Sequence, residues 1–163
     1  GSAGQRIITA GEILCLAGLT AGLKTTQKNE YNITVLRGMS VSELILSPEE
    51  IDYTGIEHPS VIIALGQEGV DRRRDIFDGL QEDTLVLQVG GVDVPPSKAH
   101  IHRVDLTSQS IKNPDWALGS LAVLAKLDTV ISQDMLKAAL NIRFKGDTLD
   151  AALKMVARVE ISA

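Results

Sequence analysis

Two continuous apolar runs constrain the fold of this chain more than any other feature. Residues 60–65 follow a proline and read Ser-Val-Ile-Ile-Ala-Leu, and residues 84–89 read Thr-Leu-Val-Leu-Gln-Val before two glycines. Such runs are typical of strands buried on both faces. Residues 66–80 lie between them and carry apolar residues on one side of a charged helix. A strand, a helix and a strand in this order predict a parallel or mixed sheet covered by helices.

The rest of the chain continues this alternation. Residues 28–38 are predicted as a loop, and the capping-box pattern at residues 47–50 predicts a short helical turn that ends before Tyr53. We expect an α/β fold: a single domain over residues 1–163, with three α/β/α layers around a mostly parallel (mixed) sheet. The predicted helices cover residues 5–21, 66–80, 113–127, 133–143 and 148–159, and the predicted strands cover residues 23–27, 41–47, 60–65, 84–89 and 101–106.

Composition excludes several classes of protein. Hydrophobic residues make up 44% and charged residues 23%, which suits a soluble globular protein. No apolar run reaches the roughly 18 residues of a membrane span, and no signal peptide opens the chain, so we expect a cytoplasmic protein with no membrane contact. Cys15 is the only cysteine, so the chain alone holds neither a disulfide nor an iron–sulfur cluster. The net charge of −5 argues against nucleic acid as a partner.

The first five residues form a glycine-bearing turn that opens a helix. Such a turn can cradle an anion, because the backbone comes close and the first N–H groups of the helix are free. A tight turn with no ligand explains Gly1 and Gly4 equally well. Residues 1–40 hold four basic and two acidic side chains, a balance of +2 that leaves −7 for the rest. Within the helix, Gly11 and Gly18 share a stripe, which indicates close packing on a sheet.

The other patterns in the sequence predict neither a metal site nor a catalytic residue. His100 and His102 share one strand face, the spacing of a two-histidine metal half-site, but no third ligand stands nearby, so no metal site is predicted. The consecutive arginines at 72–74 are expected to be mostly solvated, with at most one at a subunit contact. The chain lacks a nucleophile elbow, a Walker loop and a His-Glu-x-x-His motif. We therefore predict no catalytic residue in this chain.

Two further motifs resemble a known family. Residues 1–14 resemble the N-terminal motif of the gamma subunit of 2-oxoacid:ferredoxin oxidoreductases, which usually reads G-x-G-G-Q-G, an apolar pair, A-G and an apolar pair. Residues 26–38 are similar to that family's T-Q-x-x-x-Y-G-x-x-x-R-G-G segment. The strand at residues 59–67 and the helical segments at residues 113–124 and 144–152 are also similar. The resemblance therefore spans almost the whole chain.

The chain departs from the family pattern at several places. The family has a strand before the glycine motif, whereas this sequence starts at the motif itself. Arg6 puts a large cation where the family keeps a bare backbone. The substituted positions are Ala3, Arg6, Asn32 and Met39, where the family has glycine, and Ser60, where it has aspartate.

The resemblance implies a role in a multi-subunit enzyme. Such enzymes oxidatively decarboxylate a 2-oxoacid, join the acyl group to coenzyme A and pass the electrons to ferredoxin. Thiamine diphosphate with Mg is held by the alpha and beta subunits, and iron–sulfur clusters by beta or a delta subunit. The gamma subunit binds no cofactor alone. It packs on the catalytic core and helps to form the coenzyme A side of the site, so the isolated chain should be inactive.

The resemblance also implies where the functional face lies. Backbone amides of the glycine turn and Arg37 would meet an anionic cofactor group, and Tyr31 would position the loop. A structural ion pair for Arg37 and packing at the loop base for Tyr31 are the alternatives. The candidate cofactor-binding residues are Gly1, Ser2, Ala3, Gly4, Gln5, Tyr31, Arg37 and Gly38.

Three other functions remain open at this stage. The chain could be a purely structural subunit whose glycine turn packs on a partner. It could bind coenzyme A or a nucleotide without partners. Within the family, a subunit of an indolepyruvate-type ferredoxin oxidoreductase shares the same motifs. The sequence does not identify the 2-oxoacid.

Overall fold

The computed structural model describes residues 1–34, 37–53 and 55–161. These residues form five α-helices and five strands, and two 3-10 helices, Arg74–Gly79 and Asn113–Asp115, precede β4 and α3 respectively. In chain order the elements are α1 (Ile7–Thr20), β1 (Lys24–Tyr31), β2 (Ser40–Ser47), β3 (Val61–Ala64), α2 (Gln67–Arg72), β4 (Leu85–Val89), β5 (His100–Val104), α3 (Trp116–Leu127), α4 (Gln133–Arg143) and α5 (Gly146–Arg158).

The strands form two sheets. β3, β4 and β5 are parallel and lie in that order, while β1 and β2 form an antiparallel pair over eight residues each. The predicted α/β class with its parallel sheet is confirmed. The antiparallel pair stands as a separate small sheet.

The parallel sheet is covered on both faces. One face packs in the larger core with α1, α3, α4 and α5, and the other packs in a smaller core under α2 and the 3-10 helix that follows it. Leu87 belongs to the larger core and its neighbour Val86 to the smaller one, and both are fully buried. Successive residues of a strand point to opposite faces, so the apolar run at residues 84–89 is a strand buried on both sides, as predicted.

The antiparallel sheet packs on the glycine stripe of α1. A Cβ added at Gly18 would lie 2.9 Å from side-chain atoms of Leu46 and Thr25, and one added at Gly11 would collide with Gln27 and Ser42. Only glycine allows the helix to come this close. The predicted packing role of both glycines is confirmed.

Two local predictions were wrong. β1 continues to Tyr31, because Lys28 to Tyr31 pair with Glu43 to Ser40 of β2, so only the later part of the predicted 28–38 loop leaves the sheet. Residues 35 and 36 of that loop lie outside the described residues. The Ser47 hydroxyl accepts from the Glu49 N–H at 3.1 Å, and residues 48–53 contain no helix. This bond closes a local turn and caps nothing.

In the last third of the chain, the helices lie close to their predicted positions. α4 covers the predicted residues 133–143, and Ser132 caps it by accepting from the Met135 N–H at 3.2 Å. α5 begins at Gly146, two residues before the predicted start. No helix in the part of the chain that the structure describes is long and apolar enough to cross a membrane.

Candidate functional site

The glycine turn lies beside the end of the 31–38 loop. The Gly1 amine donates to the Ser40 carbonyl and the Ser40 N–H donates to the Gly1 carbonyl, both at 2.9 Å. The Ala3 N–H donates to the Gly38 carbonyl at 2.8 Å. The structure thus brings together the two sequence motifs from which the site was predicted, although more than thirty residues separate them.

Gln5 holds the turn in place. Its side chain is 3% exposed, accepts from the Ser2 N–H and donates to the Leu65 carbonyl, both at 2.7 Å. A buried amide with its oxygen and nitrogen both bonded internally is a structural link. Gln5 therefore ties the turn to the end of β3 and presents no free group to a ligand.

The start of α2 covers the inner side of the turn. A Cβ added at Gly66 would collide with Ser2, and one added at Gly69 would collide with the Gly1 backbone. The Ser2 hydroxyl also donates to the Glu68 carboxylate on this helix. Sequence reasoning missed both glycines. Two glycines three residues apart, directly after a buried strand, can indicate that another backbone comes close there.

The outer side of the turn is open. Gly4 has a φ of 90° and is exposed, with no atom within 4 Å of an added Cβ. Arg6 follows at a φ of 55° and occupies the N-cap of α1, where no side chain caps the helix. Its guanidinium turns away to pair with Asp115 at 2.9 Å. Backbone around Gly4 is therefore the part of the turn that an anionic group can reach.

The loop residues are accessible as well. Tyr31 ends β1 opposite Ser40 and exposes 61% of its surface. Arg37 is exposed, and within the described residues no carboxylate lies within 4.0 Å of its guanidinium. Gly38 has a φ of 91°, and a Cβ there would collide with Asn32. The loop thus needs glycine at residue 38 and leaves Arg37 available to a ligand.

An ion-pair cluster lies beneath this loop. Glu30 accepts from Arg72 Nε and from Arg73 Nη2, both at 2.6 Å, and Arg73 Nε reaches Glu43 at 3.4 Å. The hydrogen bonds from Arg72 and then Arg73 hold the pKa of Glu30 below its usual range. Arg73 is therefore an internal link between α2 and the antiparallel sheet, unlike the solvated side chain expected for most of residues 72–74. No local sequence signal joins residues more than forty positions apart.

Part of the positive charge of residues 1–40 is neutralised within the protein. Besides the pair between Arg6 and Asp115, Lys24 pairs with Glu50 at 2.8 Å. Both pairs are largely exposed, so they contribute little to stability. They do remove two of the four basic side chains from the charge available to an anion.

Metal and nucleophile chemistry find little support in the described residues. They contain no group of three or more His, Cys, Asp or Glu side chains placed to hold a metal. His100 and His102 lie on β5 with the predicted alternation, and Nε2 of His102 is buried with no hydrogen-bond partner among the described residues. Cys15 donates to the Thr26 carbonyl at 3.7 Å, and burial raises the pKa of its thiol, which disfavours the reactive thiolate.

The sequence matches a known family over nearly its full length. The model of the pyruvate ferredoxin/flavodoxin oxidoreductase family matches residues 1–159. The chain is 31% identical over 148 residues to the 2-oxoglutarate synthase subunit KorC of Methanocaldococcus jannaschii, covering 86% of this chain and 78% of that one. It is 25% identical over 154 residues to the KorC subunit of Archaeoglobus fulgidus, covering 88% and 80%.

Solved structures show the same fold. The gamma subunit of a keto/oxoacid ferredoxin oxidoreductase from Geobacter sulfurreducens superposes with a TM-score of 0.73 at 20% identity, over 97% of this chain and 91% of that one. The pyruvate oxidoreductase subunit PORC from Thermotoga maritima gives the same TM-score and identity, over 97% and 89%.

Proposed function

The chain belongs to the pyruvate ferredoxin/flavodoxin oxidoreductase family, and from this premise we propose that it is the gamma subunit of a 2-oxoacid:ferredoxin oxidoreductase. The match over residues 1–159 is the observation that carries this proposal. In this role the chain assembles with alpha and beta subunits, and with a delta subunit where one exists. The assembled enzyme passes electrons to ferredoxin. We also propose that residues 1–163 act as one domain of that enzyme.

Within the complex, this chain packs on the thiamine diphosphate core and helps to form the coenzyme A side of the site. Three features support this finer proposal. The glycine turn and the loop that carries Arg37 are joined by the bond between Ala3 and Gly38. The backbone at Gly4 is open to solvent. Arg37, which directly precedes Gly38 on the joined loop, is exposed. A guanidinium with free backbone amides suits the phosphates of coenzyme A.

The other cofactors of such an enzyme fall to its partner subunits. The chain has a single cysteine, half-buried and bonded to Thr26, so it does not supply the four thiolates of an iron–sulfur cluster. When bound by the partners, thiamine diphosphate with its Mg would supply the decarboxylation chemistry. The residues of this chain bind and orient: Arg37 holds an anionic group, and Gln5 and Gly38 fix the backbone around it.

We propose 2-oxoglutarate as the first substrate to assay. Both KorC subunits described above are named for 2-oxoglutarate synthase, and one of them is 31% identical to this chain. Pyruvate is the second substrate, since the Thermotoga maritima neighbour is a pyruvate oxidoreductase subunit. Indolepyruvate tests the remaining alternative within the family.

The test is affinity purification of the tagged chain from its native cells, followed by an assay of 2-oxoacid-dependent dye or ferredoxin reduction. We expect larger thiamine-binding subunits and coenzyme A-dependent activity to co-purify. A chain that comes down alone, and binds coenzyme A or a nucleotide without partners, would overturn the subunit proposal.

Arg37→Ala tests the coenzyme A contribution in the assembled enzyme. We expect a higher KM for coenzyme A, with assembly and the KM for the 2-oxoacid unchanged. Arg74→Ala is the matched control, because Arg74 is also exposed but begins the 3-10 helix after α2. An unchanged KM for coenzyme A in the Arg37 variant would favour a purely structural subunit.

A further inference from the structure

The short helix α2 contacts both halves of the candidate site. Near its start, a Cβ added at Gly69 would collide with the Gly1 backbone of the glycine turn. Its last residue, Arg72, donates from Nε at 2.6 Å to Glu30, which directly precedes Tyr31 at the end of β1. At 1.5 Å per residue the six residues of α2 span only about 9 Å. The glycine turn and the end of β1 are therefore placed by one common element.

Arg73, which directly follows α2, links both strands of the antiparallel sheet. Its Nη2 donates to Glu30 of β1 at 2.6 Å, and its Nε lies 3.4 Å from a carboxylate oxygen of Glu43 of β2. Lys28 is opposite Glu43 in the register and lies two residues before Glu30, so the two carboxylates are on the same face of the sheet. The glycine stripe of α1 packs on the other face, where it meets Gln27. The sheet is thus held from both sides.

The link through Arg73 is partly shielded from water. The side chains of Arg73 and Glu43 are 26% and 17% exposed. Arg73 also lines a groove of about 220 Å³ between β2 and β3, so its ion pairs lie where the two sheets face each other. Among the described residues, the pair between Arg72 and Glu30 is the only other ion pair that joins the antiparallel sheet to α2.

The loop that carries Arg37 starts and ends at these anchored elements. Glu30 directly precedes Tyr31, where β1 ends and the loop begins. The loop returns at Gly38, whose carbonyl accepts from the Ala3 N–H of the glycine turn at 2.8 Å. Because Arg37 has no carboxylate within 4.0 Å among the described residues, the backbone of this loop has to position its guanidinium.

We propose that Arg73 is a positioning residue for anion binding. It holds the end of β1 so that the Arg37 guanidinium and the open backbone at Gly4 meet the same anionic group of coenzyme A. This inference rests on the proposed function of the glycine turn and the loop. Arg73 does not contact the ligand itself, since its guanidinium is already engaged by the two carboxylates. Arg72 has a smaller role, because it reaches only one of the two strands.

The test measures steady-state kinetics of the assembled enzyme with Arg73→Gln. We expect the KM for coenzyme A to rise by about threefold to tenfold, because partly exposed ion pairs are individually weak. The kcat, the KM for the 2-oxoacid and the set of co-purifying subunits should not change. Arg74→Gln is the matched control, since Arg74 is the next residue, is exposed and has no carboxylate within 4.0 Å among the described residues. An unchanged KM for coenzyme A in the Arg73 variant, or an equal rise in both variants, would overturn the proposal.

A double-mutant cycle separates positioning from a general weakening of the fold. If Arg73 acts through Arg37, Arg73→Gln should raise the KM for coenzyme A little further in a chain that already carries Arg37→Ala. Fully additive increases in the KM would contradict an action through Arg37.

Failure of this inference and failure of the proposed function give different results. If Arg37→Ala itself leaves the KM for coenzyme A unchanged, the proposed coenzyme A site fails, and hydrogen exchange then measures the positioning of the loop directly. In the full chain, Arg73→Gln should speed amide exchange by about threefold at Ala3 and Asn32, whose N–H groups bond to the end of the loop. Exchange equal to that of the Arg74 variant would show that Arg73 does not position the loop.

Discussion

The two sheets of this protein differ in how deeply they are buried. Val86, Leu87 and Val89 of β4 are fully buried, whereas β1 has no buried residue and β2 has only Ser40. A parallel sheet with helices on both faces excludes water, and a two-stranded antiparallel sheet is marginal unless another element packs on it. The parallel sheet thus carries most of the stability, while the candidate site lies where the less buried sheet ends.

The less buried sheet persists because other elements hold it. The glycine stripe of α1 lets that helix lie against both strands. Glu30 and Glu43 form ion pairs with Arg73, the residue that directly follows α2. The exposed Tyr31 and Arg37 then extend from an anchored sheet, which leaves them accessible and still positioned.

The largest effect should come from the parallel sheet. Leu87→Ala removes a fully buried side chain of the larger core, and we expect a loss of about 2–5 kcal/mol in the free energy of unfolding. Leu46→Ala in the antiparallel sheet is the matched control and should cost about half as much, since Leu46 is only half-buried. Urea unfolding measures both. Equal losses would show that burial does not separate the two sheets.

The stability of the protein should depend on pH through the Gly1 amine, which bonds to Ser40 at the start of β2. The pKa of the Gly1 amine falls from 8.0 in the unfolded chain to about 6 in the folded one, so the unfolded state binds more protons between these values. Stability should therefore be full above pH 8 and fall by about 2 kcal/mol as pH drops to 6. Urea unfolding of the free and Nα-acetylated chains tests this. The same pH dependence in the acetylated chain would exclude the amine as its source.

Overpacking should separate α1 from the antiparallel sheet. Gly18→Val places two methyl groups where Leu46 and Thr25 already meet the helix, and we expect a loss of about 1–3 kcal/mol in the free energy of unfolding. Ala151→Val on the exposed face of α5 is the control for helix propensity and should cost only ~0.7 kcal/mol or less. If the two variants unfold alike, the contact at Gly18 is looser than described.

The smallest effect should come from the ion-pair cluster. Glu30→Gln removes the carboxylate that Arg72 and Arg73 hold, and ion pairs that are still partly exposed to water contribute little. Because the pKa of Glu30 is lowered in the folded protein, the pair stabilises it above the usual pKa of 4.5 and loses this effect as pH falls. Thermal unfolding at pH 7 and pH 4 should show a larger difference from the parent at pH 7 than at pH 4. Glu57→Gln, at an exposed position, should show none at either pH.

Sequence reasoning found those parts of the fold that local patterns encode. The unbroken apolar run at residues 84–89 identifies a buried strand, and Ser132 identifies the start of α4. It shortened β1, because Lys28 to Tyr31 are polar and gain their strand structure only from pairing with β2. It also read Ser47 as a helix cap, because a capping motif and a local turn use the same residues.

For the candidate site, the sequence identified the glycine turn and the loop at residues 31–38, and the family match supports the resemblance on which they rest. It could not identify Gly66 and Gly69 as the residues that pack closely against the glycine turn, since only the folded chain brings α2 to Gly1. Nor could it show that the Gln5 side chain is already hydrogen-bonded to the backbone of Ser2 and Leu65. The binding roles of the candidate residues remain predictions.

By itself, the sequence determined the α/β class, the buried parallel strands and the family, because apolar periodicity and short motifs act over a few neighbouring residues. Tertiary structure alone decided that the strands form two sheets, that Arg73 bridges Glu30 and Glu43, and that a groove lies between β2 and β3. These features depend on contacts between residues far apart in the chain. Such contacts form only when backbone pairing and packing bring distant segments together, and no local pattern encodes that distance.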